Sequence, residues 1–351
     1  MHDSRDFGGF FPLEVGKVAP LHAQALAFAT ACGALRLLLR VLARKSPSAG
    51  RIWMPTFLCP EVERSVMQER PDLVIRRYAL DDRFAPVECM PTPGDILYRV
   101  NLFGLSPIDH GPDGVHLIAD NVHAFFAPPV AGGYTLYSAR KFFGVPDGAY
   151  LHGASDIDMP PPRISHETCA HLLKRHELGP EAAYADFRAA EQGLADAPPA
   201  SMSRLAQALM AGIDHDAVRA RRQKNFQTVH AALGPMNQLS PLIATAMARD
   251  DFVPFHYPFL PEAAPALRAA LIARRVFVPC LWPEVAQRAE ATGFERSVAL
   301  HTLHLPVDQR YDPKDMAEML GRIVDCMARP PADTAQPQAL LITPERETRR
   351  P

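Results

Sequence analysis

The residue with the clearest chemical potential is Lys141. It sits in LYSARKFFGVPDGAYL (136–151), between an apolar run at 134–137 and a turn holding Gly144, Pro146 and Gly148, with a strand-like segment at 149–151 after it. A lysine in that setting is either an ordinary solvated cation or an amine that forms an imine with a carbonyl compound. A second strand, VHLIAD (115–120), comes first in the chain and ends on a carboxylate, Asp120.

An acid and then an amine on successive strands match the needs of pyridoxal 5'-phosphate (PLP). That cofactor requires a lysine to hold its aldehyde and move protons, and a carboxylate to keep its pyridine nitrogen protonated so that the ring draws electrons. Its phosphate requires free N–H groups at a helix N-terminus. Gly33 and Ala34 open the first long helix and offer such groups, Gly33 allowing close approach of the backbone. Ser138 adds a hydroxyl. His123, three residues after Asp120, lies near the ring's phenolic oxygen or over its face. Each residue alone has a plainer reading, since a strand-terminal Asp caps turns and a lone Lys is solvated. The order and spacing of the set carry the assignment.

Other chemistries lack their motifs. No GxGxxG follows a strand, Gly16-Lys17 lacks the rest of a Walker loop, and no GxSxG occurs. In HETCAH (166–171) the histidines are five apart and do not share a helix face, so no metal site is expected. HTLH (301–304) reads as a structural pair in an apolar alternating run. The net charge of −2 argues against nucleic acid or an anionic membrane surface as partner.

Positioning these residues requires a layered fold. The 351 residues, 48% hydrophobic and 22% charged, suffice for a large and a small domain with real cores. Strands are predicted at 51–55, 72–80, 95–101, 115–120 and 134–138, with helices at 31–45 and 59–70. Such alternation predicts a mainly parallel sheet with helices on both faces, whose strand carboxyl ends gather ligand groups. Helical periodicity fills 166–194 and 201–234. Segments 253–260, 264–275, 276–283, 298–306 and 312–327 read as a smaller α/β lobe of alternating strands and helices. The expected division is an N-terminal arm (1–25), a large domain (26–215), a small domain (216–328) and a polar, Pro-rich tail (329–351) without fixed structure. Proline, at 35 residues, is about twice its usual share. The six cysteines, none in a CxxC, read as reduced thiols of a cytoplasmic protein. MHDSRDFGGFF is unlike a signal peptide, and no apolar run reaches a membrane span.

With these residues on the page, the chain resembles the DegT/DnrJ-type sugar aminotransferases, a family of fold type I PLP-dependent transferases, as a divergent member. MPTFLCPEV (54–62), ACGALRLLLRVL, VNLFG (100–104), LIADNVHAFFA and YSARKFFGVPDGAYL carry the resemblance, with looser matches at 221–233 and 303–320, and it covers about residues 25 to 328. It implies a seven-stranded-type sheet in a large domain with a smaller C-terminal α/β domain. It also implies a homodimer with PLP near the subunit interface, Lys141 as the Schiff-base residue and Asp120 on the pyridine nitrogen. The family's ring-face group follows the Pro55 turn, where Phe57 and Cys59 compete for the place. The chain departs from the family in reading Gly148-Ala149 for paired glycines and in the position of Ser138. The partner-subunit asparagine motif is not found.

The implied activity is amino transfer, often from glutamate to a keto-sugar nucleotide or a similar small keto compound. Two alternatives stay open: a PLP enzyme of another type (lyase, dehydratase or decarboxylase), and a non-catalytic fold relative that binds. Candidate substrate contacts are Arg99, Asn101 and Trp282, with His256 and Tyr257 also within reach, and Phe10 or Phe11 of the arm.

Overall fold

A computed structural model describes residues 13, 15–16, 19–47, 49–262 and 264–328. The predicted tail, and Phe10 and Phe11 of the arm, lie outside the described residues. The chain opens with β1 (Leu26–Phe28), α1 (Ala31–Lys45), β2 (Arg51–Pro55), α2 (Pro60–Glu69), β3 (Val74–Leu80), β4 (Pro86–Val87), β5 (Ile96–Val100), β6 (His116–Asp120), β7 (Tyr134–Ser138) and β8 (Ala149–His152). These strands form one sheet in the order β1-β8-β7-β6-β5-β2-β3-β4. The pairs β2/β3, β2/β5, β5/β6 and β6/β7 are parallel, whereas β8 runs antiparallel to both β7 and β1. Seven strands thus make the expected mainly parallel sheet, and β4 adds a two-residue antiparallel edge beside β3.

The reasons are local. In β6, Leu117 to Asp120 are all buried, as parallel strands covered on both faces require. At α1 the Thr30 hydroxyl accepts the Gly33 N–H at 3.0 Å, and Arg44 and Lys45 lie in the last turn, where cations suit the helix dipole. Leu35, Leu38, Leu39 and Leu42 of α1 are buried in the same core as Ile96, Ile118 and Leu136 of the sheet. This anchors the first turn of α1 beyond the end of β1, beside the ends of β6 and β7.

The second half holds α3 (Ala170–Leu178), α4 (Pro180–Ala195), α5 (Arg204–Met210), α6 (His215–Leu233), α7 (Ser240–Met247), β9 (Tyr257–Phe259), α8 (Ala264–Ala273), α9 (Gly293–His301), β10 (Leu303–Leu305) and α10 (Pro313–Ala328). Strands β9 and β10 pair antiparallel as the second sheet. Four readings change here. The helical stretch 166–194 is a hairpin, broken at Gly179, whose φ of 86° ends α3 and whose successor Pro180 starts α4. Segment 276–283 is irregular, because Pro279 and Pro283 lack N–H donors and Arg275 and Trp282 take positive φ. Segment 253–260 keeps only Tyr257–Phe259 as strand. In 298–306 the first half is helix, since the Thr292/Glu295 capping box starts α9 and it runs through His301. The HTLH histidines are therefore split between a helix end and a strand.

Candidate active site

Asp120, Ser138, Pro55 and Val100 end four neighbouring parallel strands, so the segments that follow them emerge on one edge of the sheet. The first turn of α1 arrives at the same edge from β1, which runs parallel to β7 through their shared neighbour β8.

Asp120 is 3% exposed. Its Oδ2 accepts the Tyr98 hydroxyl at 2.6 Å and its Oδ1 accepts the Val122 N–H at 2.9 Å. Burial raises its pKa, while the Tyr98 and Val122 bonds and the Lys141 ammonium oppose the rise. Lys141 follows β7 on a single 3-10 turn, Ala139–Lys141. Its side chain is solvent-accessible, yet the chain surrounds it closely enough that burial lowers its pKa, against the pull of Cys59 and Asp120. Its Nζ lies 5.7 Å from the centroid of the Phe255 ring, and among the described residues it has no ion pair. A lowered pKa favours the neutral amine, the form that adds to a carbonyl.

His123 is fully buried, and its ring stacks on Phe255 at 4.6 Å and 8° and on Trp282 at 5.4 Å and 16°. Nδ1 accepts a long bond from the Phe103 N–H, at 3.4 Å. Nε2 has no partner. Burial, then the Lys141 charge, holds the pKa well below the usual imidazole range. The neutral ring with Nδ1 as acceptor carries its proton on Nε2, so a buried N–H donor stands unused. Phe103 and Trp282 both have left-handed backbone, φ 56° and 54°. Strain of this kind in bulky residues costs on the order of 1–3 kcal/mol and gathers at functional sites.

The remaining predicted residues divide. Phe57 is buried, edge-on to Phe103 and Trp282. The Cys59 thiol is pushed up by burial, against the Lys141 charge that lowers it. Ser138 is half-buried at the end of β7 and its side chain caps nothing. Gly33 has a role different from the one expected. A β-carbon there would meet Thr30 Oγ1 at 3.0 Å and Pro199 at 3.4 Å, so the glycine makes room for the cap and for the chain's own residue 199. The Gly33 and Ala34 N–H groups are taken by Thr30, and Ala34 packs in the core. The N–H groups of Ala31 and Cys32 precede the first helical hydrogen bond and remain for a ligand. The Cys32 thiol is pushed up to about 12 by burial, then by Cys59, and it also senses Asp120.

Arg99 is not brought to the site. It alternates with Tyr98 along β5, so it points to the other face, and its charge acts on Tyr78 and Cys89. Asn101 bonds to Asn121 and to the Ser106 N–H, tying strand ends together. Tyr257 bonds to Asn237 and His230, away from the lysine.

Four residues of the site were not singled out in the sequence for it. Tyr98 holds Asp120. Phe255 stacks on His123. His304 is 2% exposed, 4.8 Å from Phe103. Arg222, 2% exposed, donates to the carbonyls of Phe142, Pro254 and Phe255 and to Gln309. It clamps the residue after Lys141 to the segment that carries Phe255. Arg222 lies in the stretch 221–233 that carried one of the looser matches to the family; the others read as ordinary strand or loop residues.

Comparison with known proteins gives a fold. No protein-family model matches the chain, and no curated protein matches it. Solved structures do. DesV from S. venezuelae, in complex with a ketimine intermediate, aligns with TM-score 0.56 at 17% identity over 87% of this chain and 85% of that one. The sugar aminotransferase CalS13 from Micromonospora echinospora aligns with TM-score 0.54 at 14% identity over 86% and 87%. 3-Amino-5-hydroxybenzoic acid (AHBA) synthase aligns with TM-score 0.52 at 16% identity over 87% and 86%. The chain has the fold of these enzymes along nearly its whole described length.

Proposed function

We propose that this chain is a PLP-dependent aminotransferase that takes an amino group from an amino acid, glutamate first among candidates, and delivers it to a small keto compound such as a keto-sugar nucleotide. The observation that carries this reading is geometric: Asp120 and Lys141 follow from the ends of the adjacent parallel strands β6 and β7, and Lys141 Nζ lies 5.7 Å from the Phe255 ring on which His123, with its unpartnered Nε2, stacks. The fold shared with a sugar aminotransferase supports amino transfer, and the fold shared with AHBA synthase extends the acceptor beyond sugars.

The residues fit the cofactor in kind. Asp120, whose ionised form Tyr98 and Val122 favour against burial, would hold the proton of a pyridine nitrogen. His123 Nε2–H donates to the phenolic oxygen. The Ala31 and Cys32 N–H groups, with Ser138, would hold the phosphate, and Phe57 and Trp282 would border the ring. PLP, when bound, contributes the aldehyde carbon and the electron sink. Lys141 Nζ, whose pKa burial lowers toward that of a base, would take a proton from the substrate carbon and return it. The reading keeps the cofactor-bearing domain at 26–215 and the small domain at 216–328, and it includes a homodimer. No helix among the described residues is long and apolar enough to cross a membrane.

The test is an absorbance spectrum. Purified protein incubated with PLP is expected to show a visible band that Lys141→Ala loses and that changes on adding glutamate. A protein that takes up no PLP refutes the proposal. One that takes it up but leaves its spectrum unchanged with every amino acid refutes the amino-transfer half.

A further inference from the structure

A space opens beside His256, the neighbour of Phe255. It is a cleft of about 710 Å³ between the α3/α4 hairpin on one side and α8, β10 and α10 on the other. That size suits a small organic ligand. His256 and His304 line it, and both also feel the Lys141 charge. His256 also stacks at 3.8 Å on Phe255, whose ring lies 5.7 Å from Lys141 Nζ, so it links the cleft to the lysine. Much of the wall is apolar or aromatic, including Tyr184, Phe187, Ile272, Val278 and Met319.

The charges of the cleft do not cancel. Arg275 pairs with Glu181, Arg310 with Asp308 and Arg322 with Glu318. Asp315 accepts the Asp312 N–H at the start of α10 and keeps its negative charge, so five arginines face four carboxylates in the lining and one positive charge is in excess. Two guanidiniums are left over among the described residues, each lining the cleft without a hydrogen bond or ion pair. One is Arg268 on α8, half-buried; the other is Arg175 on α3, at the rim of the opposite wall. An independent sign of a ligand is the Nδ1 of His304, which has no partner on a side chain 2% exposed. His256 Nδ1 is likewise unpartnered. Burial and then Arg268 hold His304 down to about 3, so it is neutral and brings an N–H without adding charge. A buried polar atom without a partner costs stability unless a ligand or water meets it.

We propose that this cleft binds the carboxylate of a substrate with an apolar or aromatic body, the anion held by Arg268 with His304 and approached across the cleft by Arg175, and the reactive end directed past His256 toward Lys141. A planar carboxylate matches a guanidinium fork. A nucleotide diphosphate brings more negative charge than two unpaired guanidiniums offset. The inference deepens the proposed function, on which it rests for what becomes of the substrate.

The test is isothermal titration calorimetry on PLP-treated protein with three probes: 3-phenylpropionate, 3-phenylpropan-1-ol and uridine diphosphate. 3-Phenylpropionate is expected to bind about tenfold or more tighter than the alcohol and tighter than uridine diphosphate. Arg268→Gln is expected to lose about tenfold for the carboxylate and nothing for the alcohol, and Arg268→Lys to recover part of it. Equal binding of acid and alcohol, no binding of the acid, or tighter binding of uridine diphosphate each overturns the proposal. If Arg268→Gln unfolds, Arg175→Gln is read instead, with a smaller carboxylate-specific loss expected. A colourless protein that still binds 3-phenylpropionate sinks the cofactor assignment and leaves the cleft standing. A yellow protein that does not bind it sinks the cleft alone.

Discussion

Tyr98→Phe separates a positioning role from simple packing. The substitution keeps the ring, which is 2% exposed, and removes only the hydroxyl that donates to Asp120 Oδ2 at 2.6 Å. Both partners are buried, so water does not replace the lost bond. A hydrogen bond to a charged group contributes about 1.5–3 kcal/mol, which is roughly a 10- to 150-fold change in an equilibrium constant. The sign follows from the geometry. The hydroxyl favours ionised Asp120 and opposes the burial that raises its pKa. Without it, less Asp120 is ionised near neutral pH, and a protonated pyridine loses its counter-charge. PLP affinity should therefore fall by roughly 10- to 100-fold near pH 7 and recover in part as the pH is raised and the carboxyl ionises. Absorbance titration with PLP across that range, for wild type and variant, measures it. An unchanged affinity refutes the reasoning. A loss of the same size at every pH refutes the electrostatic part and leaves only packing.

Two further outcomes follow from the same structure. Arg222→Leu strands the Pro254 and Phe255 carbonyls, while Gln309 still reaches Phe142; a loss of about 3–5 kcal/mol is expected by urea denaturation, and a loss under about 1 kcal/mol would show that the clamp is idle. His22 is buried, held by the Phe125 carbonyl and His152, and its pKa is lowered from 6.5 to about 4 by burial first. Its neutral form favours the fold, so this stability is complete above pH 6.5 and declines as the pH falls toward 4, by on the order of 3 kcal/mol at most. His22→Gln should flatten the decline in Tm over that window; an unchanged slope would locate the acid sensitivity elsewhere.

Much of the frame was legible in the sequence. Runs such as HLIAD and YTLYS are apolar enough to be strands whatever surrounds them, and the acid and the amine at their ends stand within a few residues of a strand terminus. Local pattern therefore determined the sheet, the first helix and the two residues most suited to PLP. Tertiary structure decided what local pattern does not encode. The α3/α4 hairpin depends on one positive-φ glycine, and the strand expected at 276–283 gives way to prolines and two left-handed residues that place Trp282 against His123. Arg99 and Tyr98 are neighbours of similar promise in sequence, yet the pleat sends them to opposite faces and only Tyr98 meets Asp120. Arg222, Phe255 and His304 reach the site from far along the chain, through packing between lobes. Strand propensity and burial act over a handful of residues and can be read from them; a cavity is a property of side chains that meet only after distant segments have folded together.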